Sequence, residues 1–253
     1  MLEVGGLSVT FEGVRAVDDV SFRVPEGSLV GLIGPNGAGK TTTIDAITGF
    51  VAHRGRVALD GEDLSGAPAH ERARRGLART WQALELFDDL TVAENCQVAA
   101  ERVTLWSLVR DAFVPGGDRS ADGVTWALEL LGLTGVATRR PPELSLGQRK
   151  LVGVARALAA RPRLVLLDEP AAGLDTAESG RFGTVLRSVA RAGTAVLLVD
   201  HDMGLVLGVC DEVVVLDYGR VIAVGPPEEI RADRRVVEAY LGEGRPSAGR
   251  TPP

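Results

Sequence analysis

The period of the apolar residues changes several times along the chain, and each change predicts a different element. Short runs of branched apolar residues occur at "LVGLI" (29–33), "LVLL" (164–167) and "AVLLV" (195–199). Runs of this length are typical of strands that are buried on both faces. The longer stretches between the later runs carry apolar residues at helical spacing. Strands that alternate with helices in this way predict an α/β protein with a parallel sheet.

Other segments depart from this alternation. The first third of the chain contains hairpin-like pieces, "LSVTF", "AVDDVSFRV" and "GRVALDGEDL", which predict strands outside the parallel sheet. Residues 92–113 follow a helical pattern, "PGGDRSADG" (115–123) interrupts it, and the helix is predicted to resume over 124–133. We interpret this middle part as a helical insertion. Near the carboxyl end, "DEVVVLDYGRVIAVG" (211–225) predicts an antiparallel hairpin at a sheet edge.

Composition and charge exclude several classes of protein. With 45% apolar residues among 253, the chain can bury a substantial core, and its net charge of −6 argues against a nucleic-acid partner. The basic cluster "ERARRGLAR" (71–79) is therefore interpreted as a solvated helix face. Cys96 and Cys210 show no metal or redox spacing, which predicts buried free thiols in a reducing cytoplasm. No apolar run approaches the roughly 20 residues that span a bilayer, and the first residues lack the pattern of a secretory leader.

The stretch "GPNGAGKTT" (34–42) carries the first candidate chemistry. It follows a predicted strand and opens a predicted helix, which is the context that a phosphate-binding P-loop requires. Its glycines let backbone N–H groups approach phosphate closely. Lys40 is placed to reach the β- and γ-phosphates, and the hydroxyl of Thr41 is placed to bind Mg²⁺. The stretch predicts a nucleoside triphosphate site.

Two further motifs extend this prediction. In "RLVLLDEP" (163–170), Asp168 at the end of a strand can hold Mg²⁺, and Glu169 can polarise a water for in-line attack; alternatively, both carboxylates cap the next turn. In "LSLGQRKLVGVARALAARP" (144–162), Ser145 occupies a predicted N-cap position, and Gly147 leaves the first helical turn uncovered. By itself this second motif is also compatible with an ordinary capped helix.

These motifs, together with "AAGLD" (171–175) and His201 in "LLVDHD", resemble in identity and order the nucleotide-binding subunits of ABC transporters. The resemblance covers nearly the whole chain. It implies an α/β fold of the RecA-like P-loop NTPase class, with an antiparallel β subdomain and a helical subdomain over about residues 83–160. It further implies one ATP-binding domain over 1–241 and ATPase activity with ATP and Mg²⁺. Residues 242–253 lack large apolar side chains and are predicted to form a flexible tail.

The resemblance also assigns roles to individual residues. Gln82 is similar to the Q-loop glutamine that touches Mg²⁺ or the attacking water, His201 to the switch histidine, and Asp175 to the D-loop aspartate. Phe11 stands where the family places an aromatic ring against adenine, although a strand aromatic is as often part of a core. The expected catalytic residues are Glu169, His201 and Gln82; the expected metal ligands are Thr41, Gln82 and Asp168; the expected ATP-binding residues are Phe11, Gly34, Pro35, Asn36, Gly37, Ala38, Gly39, Lys40, Thr41, Thr42, Ser145, Gly147, Gln148 and Asp175.

Within this family the segment "RTWQALELFDDLTVAENC" and the last strands resemble the branched-chain amino-acid, Liv-type G subunits. That likeness implies uptake of branched-chain or related amino acids. This chain has Trp81, Asp175 and Asp200 where those subunits have phenylalanine, asparagine and glutamate. Related subunits serve urea or amide uptake and lipopolysaccharide export, which remain alternatives. A soluble ABC ATPase of translation or DNA repair is disfavoured, because the chain has neither tandem cassettes nor a long coiled-coil insertion. The signature motif argues against a kinase or GTPase.

The family resemblance implies several partners. Two subunits face head to tail, so that each ATP lies between one P-loop and the Ser145 and Gly147 of the other chain. Membrane permease subunits bind this pair at the cytoplasmic face of the membrane, and a solute-binding protein acts on it indirectly. Leu84, Leu86 and Phe87 follow the Q-loop, and they either meet the permease or cover the core of the helical insertion.

Overall fold

The computed structural model of the chain describes residues 1–80, 86–100 and 119–241. Its strands are β1 (Leu2–Phe11), β2 (Val14–Val24), β3 (Leu29–Ile33), β4 (Arg54–Leu59), β5 (Glu62–Asp63), β6 (Leu77–Arg79), β7 (Leu164–Asp168), β8 (Ala195–Val199), β9 (Glu212–Asp217) and β10 (Arg220–Gly225). Its helices are α1 (Lys40–Thr48), α2 (Ala69–Arg74), α3 (Val92–Ala100), α4 (Arg119–Leu130), α5 (Leu146–Ala159), α6 (Thr176–Arg191), α7 (Met203–Val209), α8 (Pro227–Ala232) and α9 (Arg234–Leu241), with 3₁₀ turns at Thr134–Val136 and Pro141–Glu143.

The larger sheet has the strand order β10-β9-β3-β8-β7-β6. Its neighbouring strands are parallel except for β10, which pairs antiparallel with β9 at the edge. The predicted parallel sheet and the predicted edge hairpin are therefore both confirmed. A smaller antiparallel sheet of order β2-β1-β4-β5 accounts for the hairpin-like pieces of the first third, and α1 packs against its strands β1 and β2.

Side chains of the central strands enter two hydrophobic clusters, one on each face of the larger sheet. In β3, Leu29 and Ile33 belong to the cluster that includes the helices from α3 onward. Val30 and Leu32 belong to the cluster shared with α1 and the antiparallel sheet. Because successive side chains of a strand point to opposite faces, one short apolar run serves both clusters. This double burial explains why the sequence shows continuous apolar runs instead of alternation.

Helices α3, α4 and α5 pack against one another. The prediction that the helix resumes only at residue 124 is wrong, because α4 begins at Arg119 and contains Gly123. A Cβ atom at Gly123 would lie 2.1 Å from the carbonyl oxygen of Ala159. Glycine therefore permits a close approach of α4 to the end of α5 and does not break the helix. The remainder of the predicted first helix and the predicted tail (242–253) lie outside the described residues.

The basic cluster at 71–79 is not a solvated face throughout, contrary to the sequence interpretation. Arg72 is 2% exposed. Its guanidinium donates hydrogen bonds of 2.7–3.1 Å to the backbone carbonyl oxygens of Ala46, Ile47, Ser65 and Ala67. Two of these carbonyls belong to the last turn of α1, whose carbonyl oxygens lack N–H donors within the helix. Arg72 thus joins the carboxyl end of α1 to the loop before α2, and its burial lowers the pKa of the guanidinium.

The two cysteines are buried free thiols, as predicted. Burial raises the pKa of Cys96 and of Cys210 to about 12, so both remain protonated at neutral pH. Among the residues that the structure describes, none of the helices has the length and apolar character needed to cross a bilayer.

Replacement of Arg72 by methionine should lower the free energy of unfolding by about 2–4 kcal/mol, because four carbonyl groups lose their buried donor. Arg74 is exposed on the same helix, so Arg74→Met serves as the matched control and should change stability little. Urea denaturation of both variants measures the difference. Equal stabilities for the two variants would show that Arg72 does not hold α1 in place.

Candidate active site

The P-loop lies between the carboxyl end of β3 and the first turn of α1, as the sequence predicts. It rests against the β9–β10 hairpin, where the N–H of Gly219 donates to the carbonyl of Ala38 at 3.0 Å. A Cβ atom at Gly34 would lie 2.2 Å from the carbonyl oxygen of Leu216. Only glycine fits at that position, and its absence of a side chain lets the loop and the hairpin touch through their backbones.

Helix α1 begins without a side-chain cap. Gly39 occupies the N-cap position with a φ of 99°, and the first turn contains no acidic residue. The ammonium group of Lys40 donates to the carbonyls of Gly34 and Pro35 at 2.7 and 3.1 Å. The first-turn N–H groups of a helix lack intrahelical acceptors and carry partial positive charge. This uncapped end beside an ammonium group fits the phosphates of a nucleotide.

The other predicted P-loop residues follow the same turn. Asn36 and Gly37 are exposed at its tip. Thr41 is exposed and Thr42 half-buried in the first turn of α1. The loop thus presents polar atoms at the carboxyl end of β3.

Asp168 ends β7, at the same edge of the sheet, and is 5% exposed. Its Oδ2 accepts a hydrogen bond of 3.0 Å from Arg79, which also contacts Asp45 of α1. Burial raises the pKa of Asp168, and the charge and hydrogen bond of Arg79 oppose that shift. Mg²⁺ is commonly bound by one or two carboxylates together with substrate phosphates, which makes the carboxylate of Asp168 a candidate ligand.

Glu169 and His201 lie next to one another just beyond the ends of β7 and β8. Glu169 has a φ of 45°, a left-handed conformation that is strained for a glutamate. Its N–H donates to the carbonyl of Val199 at 2.7 Å, which ties the turn to β8. Oε2 of Glu169 and Oδ1 of Asp200 each lie 3.6 Å from Nδ1 of His201. Nδ1 of the imidazole is therefore close to two carboxylates.

The signature turn (144–148) and the segment before α6 are helix starts. Ser145 caps α5, accepting from the N–H of Gln148 at 3.2 Å, while its own N–H donates to the Gln148 side chain. Asp175 caps α6 in the same reciprocal way with Glu178. A Cβ at Gly147 would meet Glu178 at 3.9 Å, so the two caps lie close together. The signature turn and the P-loop belong to different parts of the subunit. The helix α5 that follows the signature turn packs on α3 and α4, whereas the helix α1 that follows the P-loop packs on β1 and β2.

Two further expected site residues are Phe11 and Gln82. Phe11 ends β1 and is 47% exposed, so its ring is accessible and not part of the core. Gln82 lies outside the described residues, as do Trp81 and Leu84.

Arg79 is a site residue that the sequence analysis did not identify. It lies in β6, paired beside Leu166 of β7, and its side chain is 6% exposed. The available signal is an arginine at the end of the short strand "LAR", directly before the predicted Q-loop. Clusters of charged residues are usually exposed to solvent, which is why the sequence analysis interprets residues 71–79 as a solvated helix face.

A cavity of about 830 Å³ opens between α5 and the elements around β6. Phe50 lines it and is 56% exposed, and Leu86 lines it while also packing against the core cluster of the helices. Phe87 is exposed and lies beneath the guanidinium of Arg156, 5.3 Å from its ring centre. Leu86 therefore covers the core of the helices, as one of the two interpretations expects, and it also faces the cavity; its contact with a permease stays a prediction.

The chain is similar to several known proteins. A family model described as "ABC transporter" matches residues 17–172, and one described as "Branched-chain amino acid ATP-binding cassette transporter" matches residues 220–245. The chain is 40% identical to the high-affinity branched-chain amino acid transport ATP-binding protein BraF of Pseudomonas aeruginosa, over 96% of this chain and 98% of that one.

Two further proteins broaden the comparison. The chain is 36% identical to the lipopolysaccharide export system ATP-binding protein LptB of Haemophilus influenzae, with 96% of this chain and 98% of that one covered. The crystal structure of the ADP conformation of an ATP-binding cassette of an ABC transporter matches with a TM-score of 0.83 and 31% identity, over 96% of this chain and 98% of that one.

Proposed function

The chain belongs to the ABC transporter ATP-binding family, and from that premise we propose that it hydrolyses Mg²⁺-ATP to drive uptake of branched-chain or related amino acids through a membrane permease. The observation that carries the chemical part is the convergence of an uncapped α1, Asp168 and the Glu169–His201 pair at one edge of the sheet. The match of residues 220–245 to the branched-chain amino-acid model supports the solute. Similarity to LptB favours lipopolysaccharide export as the second candidate.

The phosphates of ATP are proposed to lie on the first-turn N–H groups of α1, with the Lys40 ammonium against the β- and γ-phosphates. Asp168, Thr41 and Gln82 are the proposed ligands of Mg²⁺, which would neutralise phosphate charge and polarise the phosphoryl oxygens when bound. The exposed ring of Phe11 is proposed to stack on adenine. These contacts hold the triphosphate in place but leave the attacking water to other groups.

Glu169 is the proposed group that polarises this water. Its left-handed backbone turns the chain at the end of β7, and its carboxylate lies 3.6 Å from Nδ1 of His201. The same imidazole is proposed to donate a hydrogen bond to the γ-phosphate, so that it links the water-activating carboxylate to the phosphoryl group. Such positioned donors and acceptors supply most of the catalysis in phosphoryl transfer.

A second copy or a related subunit is proposed to complete the site. Gly147 is not in a left-handed conformation, and a Cβ there would make only ordinary contacts, the nearest at 3.9 Å. Nothing in the described part of the subunit therefore requires glycine at this position, whereas the close approach of a nucleotide from another subunit would. The Ser145 hydroxyl accepts a bond within α5 but retains its proton for donation. Both features support a head-to-tail dimer.

The cavity beside α5 is the proposed docking site of a cytoplasmic segment of the permease. Its wall includes Arg79, whose guanidinium holds the proposed metal ligand Asp168, so a bound segment would lie against the edge of the ATP site. Docking to a permease from the cytoplasm would place the chain at the inner face of the membrane. A solute-binding protein would act through the permease.

Replacement of Glu169 by glutamine should lower kcat for ATP hydrolysis by about 10² or more, since the amide retains the shape but cannot take a proton. ATP binding should persist, and the variant should accumulate as a closed, ATP-bound dimer. Glu129→Gln, on the exposed face of α4, is the matched control. Near-normal hydrolysis by Glu169→Gln would remove Glu169 from this role.

Mixing two inactive variants tests the dimer. Lys40→Ala removes the P-loop ammonium, and Ser145→Arg should block the signature turn while leaving the ATP affinity of the chain unchanged. Random assortment gives half mixed dimers, each with one intact composite site, so the mixture should regain roughly a quarter of wild-type activity. ATP-dependent dimers should also appear in size-exclusion chromatography of the mixture. A mixture that neither hydrolyses ATP nor dimerises would contradict the head-to-tail arrangement.

Replacement of Phe50 by aspartate tests both the proposed permease docking site in the cavity beside α5 and the proposed solute. Because Phe50 is 56% exposed, the charge is not buried, and basal ATPase and stability should hardly change. Uptake of radiolabelled leucine, in cells that depend on this subunit, should fall at least about tenfold, as expected for an interface aromatic. Val224→Asp, at the exposed edge strand β10, is the control. Normal leucine uptake by Phe50→Asp would argue against this docking site, and absence of uptake by the wild type would argue against the solute.

A further inference from the structure

Lysine is rare in this chain, and both of its lysines are buried. Of the 28 lysine and arginine residues, two are lysines, Lys40 and Lys150. Arginine carries a broad planar guanidinium, whereas lysine carries a compact ammonium with three hydrogen-bond donors. Lys40 uses this compact group in the P-loop, where it is 8% exposed. Lys150, in α5, is 9% exposed and takes no part in the proposed hydrolysis.

The ammonium group of Lys150 lacks a close partner. It forms no hydrogen bond and no ion pair with any residue in 1–80, 86–100 or 119–241. Burial lowers the pKa of Lys150 and outweighs the carboxylates of Asp200 and Glu169, which raise it from beyond ion-pair distance. A buried ammonium without an acceptor costs free energy, because nothing replaces the water that it has lost. The folded subunit therefore contains a charge that lowers its own stability.

Lys150 lies on the wall of the 830 Å³ cavity beside α5. Two other cations of this wall already have partners. Arg79 bonds two aspartates, and the guanidinium of Arg156 lies over the ring of Phe87. The described residues that line the cavity include no aspartate or glutamate. The wall thus presents positive charge, and the ammonium of Lys150 is available to an anionic group that enters.

The remainder of the wall indicates the kind of molecule that carries this anion. Gly153 and Ala157 follow Lys150 along one face of α5 and line the cavity. Their small side chains permit the close approach of another backbone. Phe50 and Leu86 also line the cavity, and a small anion bound to the ammonium would leave both side chains uncovered. A peptide segment with apolar side chains and a carboxylate fits the whole wall.

We propose that Lys150 recognises an aspartate or glutamate on the permease segment that docks in this cavity. A segment without this carboxylate would leave the ammonium buried and unpaired, so the pair selects among permeases. The inference rests on the proposed docking site and adds the chemistry of its occupant. The segment presents apolar side chains towards Phe50 and Leu86 and a carboxylate towards α5. Lys150 is thus a specificity-determining residue for the choice of permease.

Cross-linking with a water-soluble carbodiimide tests the contact directly, because this reagent joins an amine to a carboxylate that touches it. The transporter is isolated from membranes through a carboxyl-terminal tag on this chain, treated, and digested for mass spectrometry. The expected product is an amide between Lys150 and an aspartate or glutamate in a cytoplasmic loop of a membrane-spanning subunit. An amide from Lys150 to a second copy of this chain would overturn the proposal.

The amino terminus supplies an internal control for this reaction. The ammonium group of Met1 lies 3.7 Å from the carboxylate of Asp60, so an amide between them shows that the reagent has acted. A digest that contains the Met1–Asp60 amide and no amide at Lys150 would also overturn the proposal.

Substitution separates recognition from folding and hydrolysis. Lys150→Met should lower leucine uptake by cells at least about tenfold, while kcat and KM for the basal ATPase of the isolated chain stay within about threefold. Its melting temperature should be equal or higher, because methionine removes the unpaired charge. Lys150→Arg keeps a charge in a broader group and should retain more uptake than Lys150→Met. Arg181→Met, which removes an exposed charge from α6, is the control and should change none of these.

Phe50→Asp, measured in parallel, distinguishes this inference from the proposed docking site. Loss of uptake with Phe50→Asp beside normal uptake with Lys150→Met would overturn the role of Lys150 and leave the docking site intact. Normal uptake with both would overturn the docking site and the inference with it. Loss of uptake in Lys150→Met that follows a fall in kcat or melting temperature would assign Lys150 to hydrolysis or folding and refute the proposal. If the wild type takes up no leucine, the amide at Lys150 decides alone.

Discussion

The pairing register of three parallel strands fixes where the polar groups of the candidate site lie. Asp168 of β7 lies opposite Val199 of β8, and Val199 lies opposite Leu32 of β3. The chain therefore leaves the sheet at one edge in three places, and the next residues include Glu169 and Asp200. A slip of one residue between β7 and β8 would turn every side chain of β7 to the other face, separating Asp168 from Arg79. The apolar clusters on both faces make such a slip prohibitively costly.

Burial of charge is concentrated around this edge. Arg79 bridges Asp168 and Asp45. Buried ion pairs stabilise proteins little, since desolvation offsets most of the attraction. Their effect here is on geometry, because a charge held in a low-dielectric environment tolerates few alternative positions. These interactions thus fix the positions of the site residues more than they stabilise the fold.

The sequence predicted the parts of this molecule that depend on local patterns. Short apolar runs specified the parallel strands, and the glycine-rich turn between β3 and α1 specified the P-loop, since both signals are contained in consecutive residues. Long-range contacts left no such signal. Gly123 suggested a helix break because its close contact is with Ala159, which belongs to a different helix and is far away in the sequence. The cluster at 71–79 suggested solvent exposure because the carbonyl groups that accept hydrogen bonds from Arg72 lie in other segments of the chain. The roles of single site residues remain predictions.

The position of β3 between β8 and β9 has a consequence for biosynthesis. A ribosome releases the chain from its amino end, so the P-loop emerges long before either strand that flanks β3. Until β9 has left the exit tunnel, one edge of β3 is unpaired, and the Leu216 carbonyl that abuts Gly34 is absent. Contacts of such large sequence separation form late. In a nascent chain the P-loop therefore lacks the backbone contacts that the β9–β10 hairpin makes with it in the finished subunit.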